Sequence, residues 1–325
     1  MKTIGRLLCS LVGFLLLAVT TAAVAQPSYP SRPIRLVVAF PPGGGTDFVA
    51  RLVGPKLGEQ LSQQVVIDNR PGASGMIGTD LVAKSAPDGH TLLVSGVGQL
   101  VTGPLFEKVP YNPVRDFTAA SLLADLYHVL VVHPSLPAKS VKELITLAKT
   151  RPGEINYAST GSGANLFLIA ELFKITAGIN MTHIPYKGAG PAGLSVLSGE
   201  TQAMFTSITS VLQFLRSGRL VALAVTGPDR SRLLPEVPTF VESGLPEVRV
   251  AAWFVLMAPA ATPREIIARL NAEIVKFGAT PDYRQQLEKQ GFEPLTSTPE
   301  EFSAVLKAEI EKTRKLINAL GIKSR

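Results

Sequence analysis

Two short segments concentrate the residue types that can hold an anion. Gly43-Gly44-Gly45-Thr46-Asp47 follows the run Ile34 to Phe40, and Phe48, Val49, Leu52, Val53 and Leu57 recur at helical spacing behind it. Ser159-Thr160-Gly161-Ser162-Gly163 follows Ile155-Asn156-Tyr157-Ala158 and leads into an apolar segment, Leu166 to Lys174. A helix start presents unpaired backbone N–H groups and the positive end of the helix dipole. Glycine lets a ligand come close to that backbone. Acting together, the two loops can hold a carboxylate without a buried lysine or arginine. Taken singly, either loop reads equally well as turn chemistry. Asp47 is expected to turn its carboxylate to backbone N–H groups and cap its own helix. The first loop has no Lys in the place a phosphate-binding G-x-x-x-x-G-K-[ST] loop requires, and its spacing is not the dinucleotide G-x-G-x-x-G.

Other chemistry is sparse. His90, His128, His133 and His183 have no metal-ligand spacing, and no G-x-S-x-G segment is present. Ser159 or Thr160 can be imagined as a nucleophile, but the sequence places no base beside it. Trp253 and Phe254 lie in a strand-like apolar run and read as core. Two functions compete: a binding protein that passes a carboxylate to a transporter or a sensor, and an exported enzyme acting on a carboxylic acid. No cofactor is called for.

The elements around these loops alternate. Strands are predicted at Ile34–Phe40, Val65–Ile67, Thr91–Ser95, Val129–Val132, Ile155–Ala158, His183–Tyr186, Gln202–Phe205 and Leu220–Val225. β-Branched and apolar runs bounded by Pro and Gly give these assignments. Helices are predicted between them and at the end, where Pro263, Pro281 and Pro299 suit first turns. Ser140 and Glu143 form a capping box. Gly54-Pro55 is expected to kink or shorten the helix behind the first glycine loop. Strand–loop–helix alternation favours mostly parallel sheets flanked by helices. Each half has a strand running through a Gly/Ser/Thr-rich loop into a helix, and no single linker divides the chain, so two lobes joined by more than one crossing are expected.

Composition bounds the rest. The 325 residues are 46% apolar, with one cysteine and a formal net charge of +7. One cysteine excludes a disulfide framework. The charges are mixed along the chain, which argues against a nucleic-acid surface. Lys2 and Arg6 precede an apolar stretch, Leu7 to Val19, that ends in Ala23-Val24-Ala25. That is the form of a secretory signal peptide cleaved near Ala25, which removes Cys9 and implies a soluble exported protein.

The motifs then combine into a family resemblance. Pro33 to Val38 running into Pro42-Gly43-Gly44-Gly45-Thr46-Asp47, Asp68-Asn69-Arg70-Pro71-Gly72-Ala73 and Ala86-Pro87-Asp88-Gly89 stand in order, followed by His183-Ile184-Pro185-Tyr186-Lys187-Gly188 and Leu234-Pro235-Glu236-Val237-Pro238-Thr239. Over essentially the whole mature chain the sequence resembles the Bug family, the periplasmic solute-binding proteins of tripartite tricarboxylate transporters. The resemblance implies a two-lobed α/β fold of the periplasmic binding protein type (type II-like) that closes on a small organic acid. It divides the chain into a signal peptide (1–25), a discontinuous first lobe (26–124 plus 228–325) and a second lobe (125–227). It implies delivery to a membrane permease, and a monomer is the simplest expectation. Ligand-binding positions carried over are Pro42, Gly43, Gly44, Thr46, Asp47, Ala73, Ser74, Ser95, Ser159, Thr160, Gly161, Gly163, Tyr186, Gly188 and Thr206. The chain departs from the family at Ser162, Ala164 and Phe167, and has Ser195 and Thr206 where acids are common. Loss of those acids makes an amino-acid ligand a poorer fit, and Phe167 is expected to pack inside.

Overall fold

The computed structural model describes residues 29–159, 165–186, 189–249, 251–319 and 321. The signal-peptide segment lies outside the described residues. Eleven described strands form two sheets. The first holds β1 (Ile34–Val38), β2 (Val65–Asn69), β3 (Thr91–Gly96), β4 (Phe117–Leu126), β10 (Phe254–Pro259) and β11 (Phe292–Pro294), in the order β11-β4-β10-β3-β1-β2. The second holds β5 (His128–Val132), β6 (Asn156–Ser159), β7 (Thr182–Pro185), β8 (Ala203–Ser207) and β9 (Val221–Val225), in the order β7-β6-β8-β5-β9.

The two orders are equivalent: β2-β1-β3-β10-β4 matches β7-β6-β8-β5-β9. In each sheet the fourth strand of that series runs against its neighbours, β10 against β3 and β4, and β5 against β8 and β9. Apart from these two and the edge strand β11, the strands of each sheet share one direction, as strand–helix alternation requires. The antiparallel strand is in both cases the one that enters from the other sheet. β4 hands over to β5 through Tyr127 alone, and the chain returns ahead of β10.

Each sheet is buried on both faces. Leu36, Val38, Leu92 and Val94 meet the helices Gly45–Leu61 and Arg264–Gly278 on one side of the first sheet. Val37, Leu93, Val255 and Met257 meet Trp253 and Phe302 on the other. Trp253 and Phe302 pack edge to face at 4.9 Å, so Trp253 is core as expected. In the second sheet Leu130, Tyr157, Phe173 and Phe205 form one cluster, and Val129, Val131, Ala192 and Met204 another. The long stretch after β9 belongs to this half of the packing. Leu234 and Val237 join one of its clusters, and Phe240 and Val248 the other. Ala251 and Trp253 already pack with the first sheet.

Of the two effects expected at Gly54-Pro55, the shortening does not occur: the helix runs from Gly45 to Leu61 with Pro55 inside it. An interior proline costs about 3 kcal/mol. Against it stand the buried Val49, Ala50, Leu52, Val53, Leu57 and Leu61, each worth roughly 1.5–3 kcal/mol if large and fully covered. Gly54 contributes by letting the helix approach β2, since a Cβ there would lie 2.8 Å from Ile67 Cδ1.

A closer approach occurs at Gly78, on the helix Met76–Ala83. A Cβ at Gly78 would lie 2.7 Å from the Arg70 carbonyl oxygen and 2.9 Å from Ala39 Cα. Both are backbone atoms, which cannot swing away. Gly78→Ala is therefore expected to destabilise the protein by about 1–3 kcal/mol, the cost of overpacking. Urea unfolding checks this as a lower midpoint at unchanged slope, and an unchanged midpoint refutes the contact.

The two connections between the sheets are tied together. Asp125, at the end of β4, is buried and lies 3.5 Å from the Arg249 guanidinium on the returning segment. Its carboxylate also accepts the Leu126 N–H at 2.8 Å. Burial raises the Asp125 pKa, and the nearby Arg249 charge pulls the other way. Tyr127 packs directly on Gly227, where a Cβ would fall 2.3 Å from the ring.

Candidate ligand-binding cleft

The residues singled out from the sequence collect at the carboxyl ends of the parallel strands, where open α/β sheets carry their ligands. The first glycine loop follows β1, Ala73 and Ser74 follow β2, and Ser95 lies in β3 near its end. In the matching places of the other half, Ser159 ends β6, Tyr186 follows β7 and Thr206 lies in β8. Thr160, Gly161, Gly163 and Gly188 lie outside the described residues.

A cleft of about 500 Å³ joins the two halves. Gly43, Gly44, Gly45, Asp47, Phe48 and Arg51 line it from the first loop and its helix, and Ser207 and Thr209 from the second lobe. Leu126 lines it from the end of β4, and Gln290 and Phe292 from near the C-terminus. Phe292 stacks on Phe48 at 5.4 Å and meets Phe254 edge to face at 5.4 Å, so an aromatic wall backs the glycine loop.

The loop owes its shape to Asp47. This side chain is nearly wholly buried and accepts the Gly43 N–H at 2.9 Å. The same oxygen takes Arg51 Nε at 2.8 Å, and the other takes Asn69 Nδ2 at 3.0 Å. Asn69 also donates to the Phe40 carbonyl at 3.0 Å, which ties the loop to the end of β2. Gly43 has φ +93°, where a side chain would be strained, while Gly44 is extended with φ −85° and ψ 172°. Burial works against the Asp47 charge, but the hydrogen bonds from Arg51, Gly43 and Asn69 outweigh it and hold the pKa down at about 2. Asp47 thus shapes the loop with its charge already neutralised, but it is not the helix cap expected from the sequence: Gly44 is the N-cap, and the carboxylate takes the Gly43 N–H ahead of the helix.

Two helices open onto this cleft without a capping side chain. Gly44 is the N-cap of Gly45–Leu61, and Ser207 the N-cap of Ile208–Arg216. The Ser207 hydroxyl turns to Ser210 Oγ at 3.1 Å instead of to the first backbone N–H groups. Two such helix starts, one from each half, suit a negatively charged group.

The remaining predicted positions have other surroundings. Pro42 is exposed, and Thr46 is buried in the first helical turn. Ala73 and Ser74 are exposed, with φ of 45° and 54°. Ser95 is buried, 3.4 Å from Gln99 Oε1. Thr206 is buried, its hydroxyl 3.0 Å from Ser210 Oγ. The Tyr186 hydroxyl points outward and donates to Glu200 at 3.0 Å. Ser159 is buried, and its Oγ lies 2.6 Å from His183 Nε2. His183 is held between rings, 5.0 Å from Tyr157 and 4.7 Å from Phe167. Burial lowers its pKa. Phe167 packs against the second sheet's core, as expected. Ser195 is buried and bonded to Thr201 at 2.8 Å.

Sequence reading missed Arg51, Gln290 and Phe292. Arg51 carried a usable signal, standing four residues after Asp47 on one helix face. Among the described residues no group of His, Cys, Asp and Glu can hold a metal, and no helix is long and apolar enough to cross a membrane.

Two lobes of matching strand order, with one cleft lined from both, have the architecture of a two-lobed binding protein. The chain belongs to the tripartite tricarboxylate transporter family of receptors, whose family model matches residues 49–322. BugT of Bordetella pertussis is 39% identical over 320 residues, covering 98% of each chain. A protein from R. palustris solved with adipate is 35% identical with a TM-score of 0.74, covering 90% of this chain and 98% of its own. MatC from Rhodopseudomonas palustris, solved with bound malate, is 31% identical with a TM-score of 0.69, covering 89% of this chain and all of its own.

Proposed function

We propose that this receptor works in the periplasm, reached through a signal peptide cleaved near Ala25. It closes its lobes on a small organic carboxylate and hands the acid to a membrane permease. One observation carries the reading: the uncapped starts of Gly45–Leu61 and Ile208–Arg216 line a single cleft of about 500 Å³. The carboxylate sits against the Gly43–Gly45 backbone, and closure brings the second lobe's strand ends onto it. Bound adipate and malate in two related structures support this ligand class. The ligand-binding set named from the sequence, from Pro42 to Thr206, is retained as part of this reading except for Ser159, whose hydroxyl is turned to His183, with Arg51, Ser207 and Thr209 added. The packing of Leu234 to Val248 supports drawing the lobes as 29–126 plus 251–321 and 127–249. The receptor acts as a monomer.

The Ser159–His183 pair is the one observation favouring catalysis, since it has the spacing of a nucleophile and its base. Ser159 is 1% exposed, which does not suit attack on a substrate carbonyl. We assign the pair to holding β6 beside β7.

A thermal-shift screen of the mature chain against organic acids tests the function. A true ligand raises the melting temperature with the logarithm of its excess. It also shrinks the radius seen by small-angle scattering and is recovered unchanged. Turnover of the acid, or no shift with any acid, overturns the proposal.

A further inference from the structure

One glycine stands where the two halves touch. Gly291 lies between the helix Pro281–Lys289 and β11, in the first half, and is buried. Its φ of +79° and the bond from its N–H to the Glu288 carbonyl at 2.9 Å are an ordinary way to end a helix. Its surroundings are less ordinary. A Cβ at Gly291 would lie 2.5 Å from Thr209 Cγ2 and 3.6 Å from Leu233 Cδ1. Both residues belong to the second half, so bare backbone of one half bears on side chains of the other. Thr209 is β-branched and has few rotamers into which it can retreat. Other helix ends differ in this respect. Gly178 and Gly218 follow the helices Asn165–Ala177 and Ile208–Arg216 with φ of 61° and 70°, and a Cβ at either would meet nothing within 4 Å.

A second observation places this contact at the cleft. Gln290 and Phe292, on either side of Gly291, line it from the first half, and Thr209 lines it from the second. Beside the contact, Arg232 and Glu288 pair across the same seam at 2.6 Å. A side chain added at Gly291 would therefore push on the second half from the cleft.

We propose that Gly291 sets how far the lobes close: its missing side chain lets Thr209 come down on the backbone, and any side chain there acts as a wedge. The inference rests on the proposed carboxylate site and its closure. Gly291 is a positioning residue. It acts on affinity through the fraction of molecules able to reach the closed state.

Titration calorimetry with adipate and with malate, paired with small-angle scattering, tests this. Gly291→Ala is compared with Gly178→Ala, which carries similar left-handed strain in open space. Gly291→Ala is expected to bind the acid at least about tenfold more weakly, with less shrinkage of the radius on binding, because the closed state is less populated. Gly178→Ala is expected to stay within about twofold of wild type. Thr209→Ser removes Cγ2 and keeps the hydroxyl. Added to Gly291→Ala, it is expected to bring affinity to within about threefold of Thr209→Ser alone, the coupling that residues in contact show. If Gly291→Ala does not fold, Thr209→Ile applies the wedge from the second lobe and is expected to bind more weakly than the size-matched Thr209→Val. Equal affinity within either pair of variants, or a loss that Thr209→Ser does not relieve, overturns the inference and leaves the carboxylate site standing. Binding of neither acid by the wild-type chain counts against the site and the inference together.

Discussion

Gly44→Trp is expected to abolish carboxylate binding while the protein stays folded. A Cβ at Gly44 would meet nothing within 4 Å, and the residue already has a φ that any amino acid adopts. The new side chain therefore costs the fold little, within about 0.5 kcal/mol for a surface change of this kind. It projects from the N-cap of Gly45–Leu61, beside the cleft that Ser207 and Thr209 line from the other side. An indole there excludes the ligand from the backbone N–H groups and holds the lobes apart. Affinity is expected to drop by at least about 100-fold, close to 3 kcal/mol. Calorimetry on a variant with a near wild-type unfolding midpoint reads this directly. Undiminished affinity removes the glycine loop from the site.

Asp47→Ala acts on the same loop from beneath. It deprives the Gly43 N–H, Asn69 Nδ2 and the Arg51 guanidinium of their shared acceptor at once. Arg51 is half exposed and regains water, so the stability loss is set at about 1–2 kcal/mol, below that of a fully buried pair. Affinity is expected to fall by more than about tenfold as the loop loses its shape, since misplaced positioning groups are costly. The pH dependence gives a second readout. The folded Asp47 pKa of about 2 lies below the ordinary carboxylate value of 3.8, so its contribution is complete above about pH 4 and fades as pH falls toward 2. The stability gap between wild type and variant should therefore be full at neutral pH and close below about pH 2. A gap that stays constant through this window means that Asp47 acts without its charge.

The sequence made the first glycine loop legible because its composition has few other uses at a strand–helix junction; most of the second lies outside the described residues. β1, β3 and β9 were legible as β-branched and leucine-rich runs. β4 was not, although it is the longest of the described strands: after Phe117 and Thr118 its first half is Ala119-Ala120-Ser121, small residues that carry no strand signature. Those small side chains suit a strand covered by the helices Arg264–Gly278 and Pro299–Ala319, a fact of packing that no local window shows. β11 spans only Phe292–Pro294, too short for any period. Phe292 and Gln290 reach the cleft from the far end of the chain, so only the fold could bring them there. Asp47 was read correctly as a residue serving the backbone. Its link to Asn69 depended on β2 lying beside β1, and its link to Arg51 on side-chain direction along one helix; neither was read from the sequence.

The Asp125–Arg249 pair, small as it is, constrains how the molecule can move. A body held to another at one point swivels in every direction, but one held at two points keeps a single rotation. Here the two polypeptide passages are clasped to each other across a buried carboxylate. The closure proposed above would then have one angular coordinate, and ligand capture would be a choice of where along that arc the molecule rests.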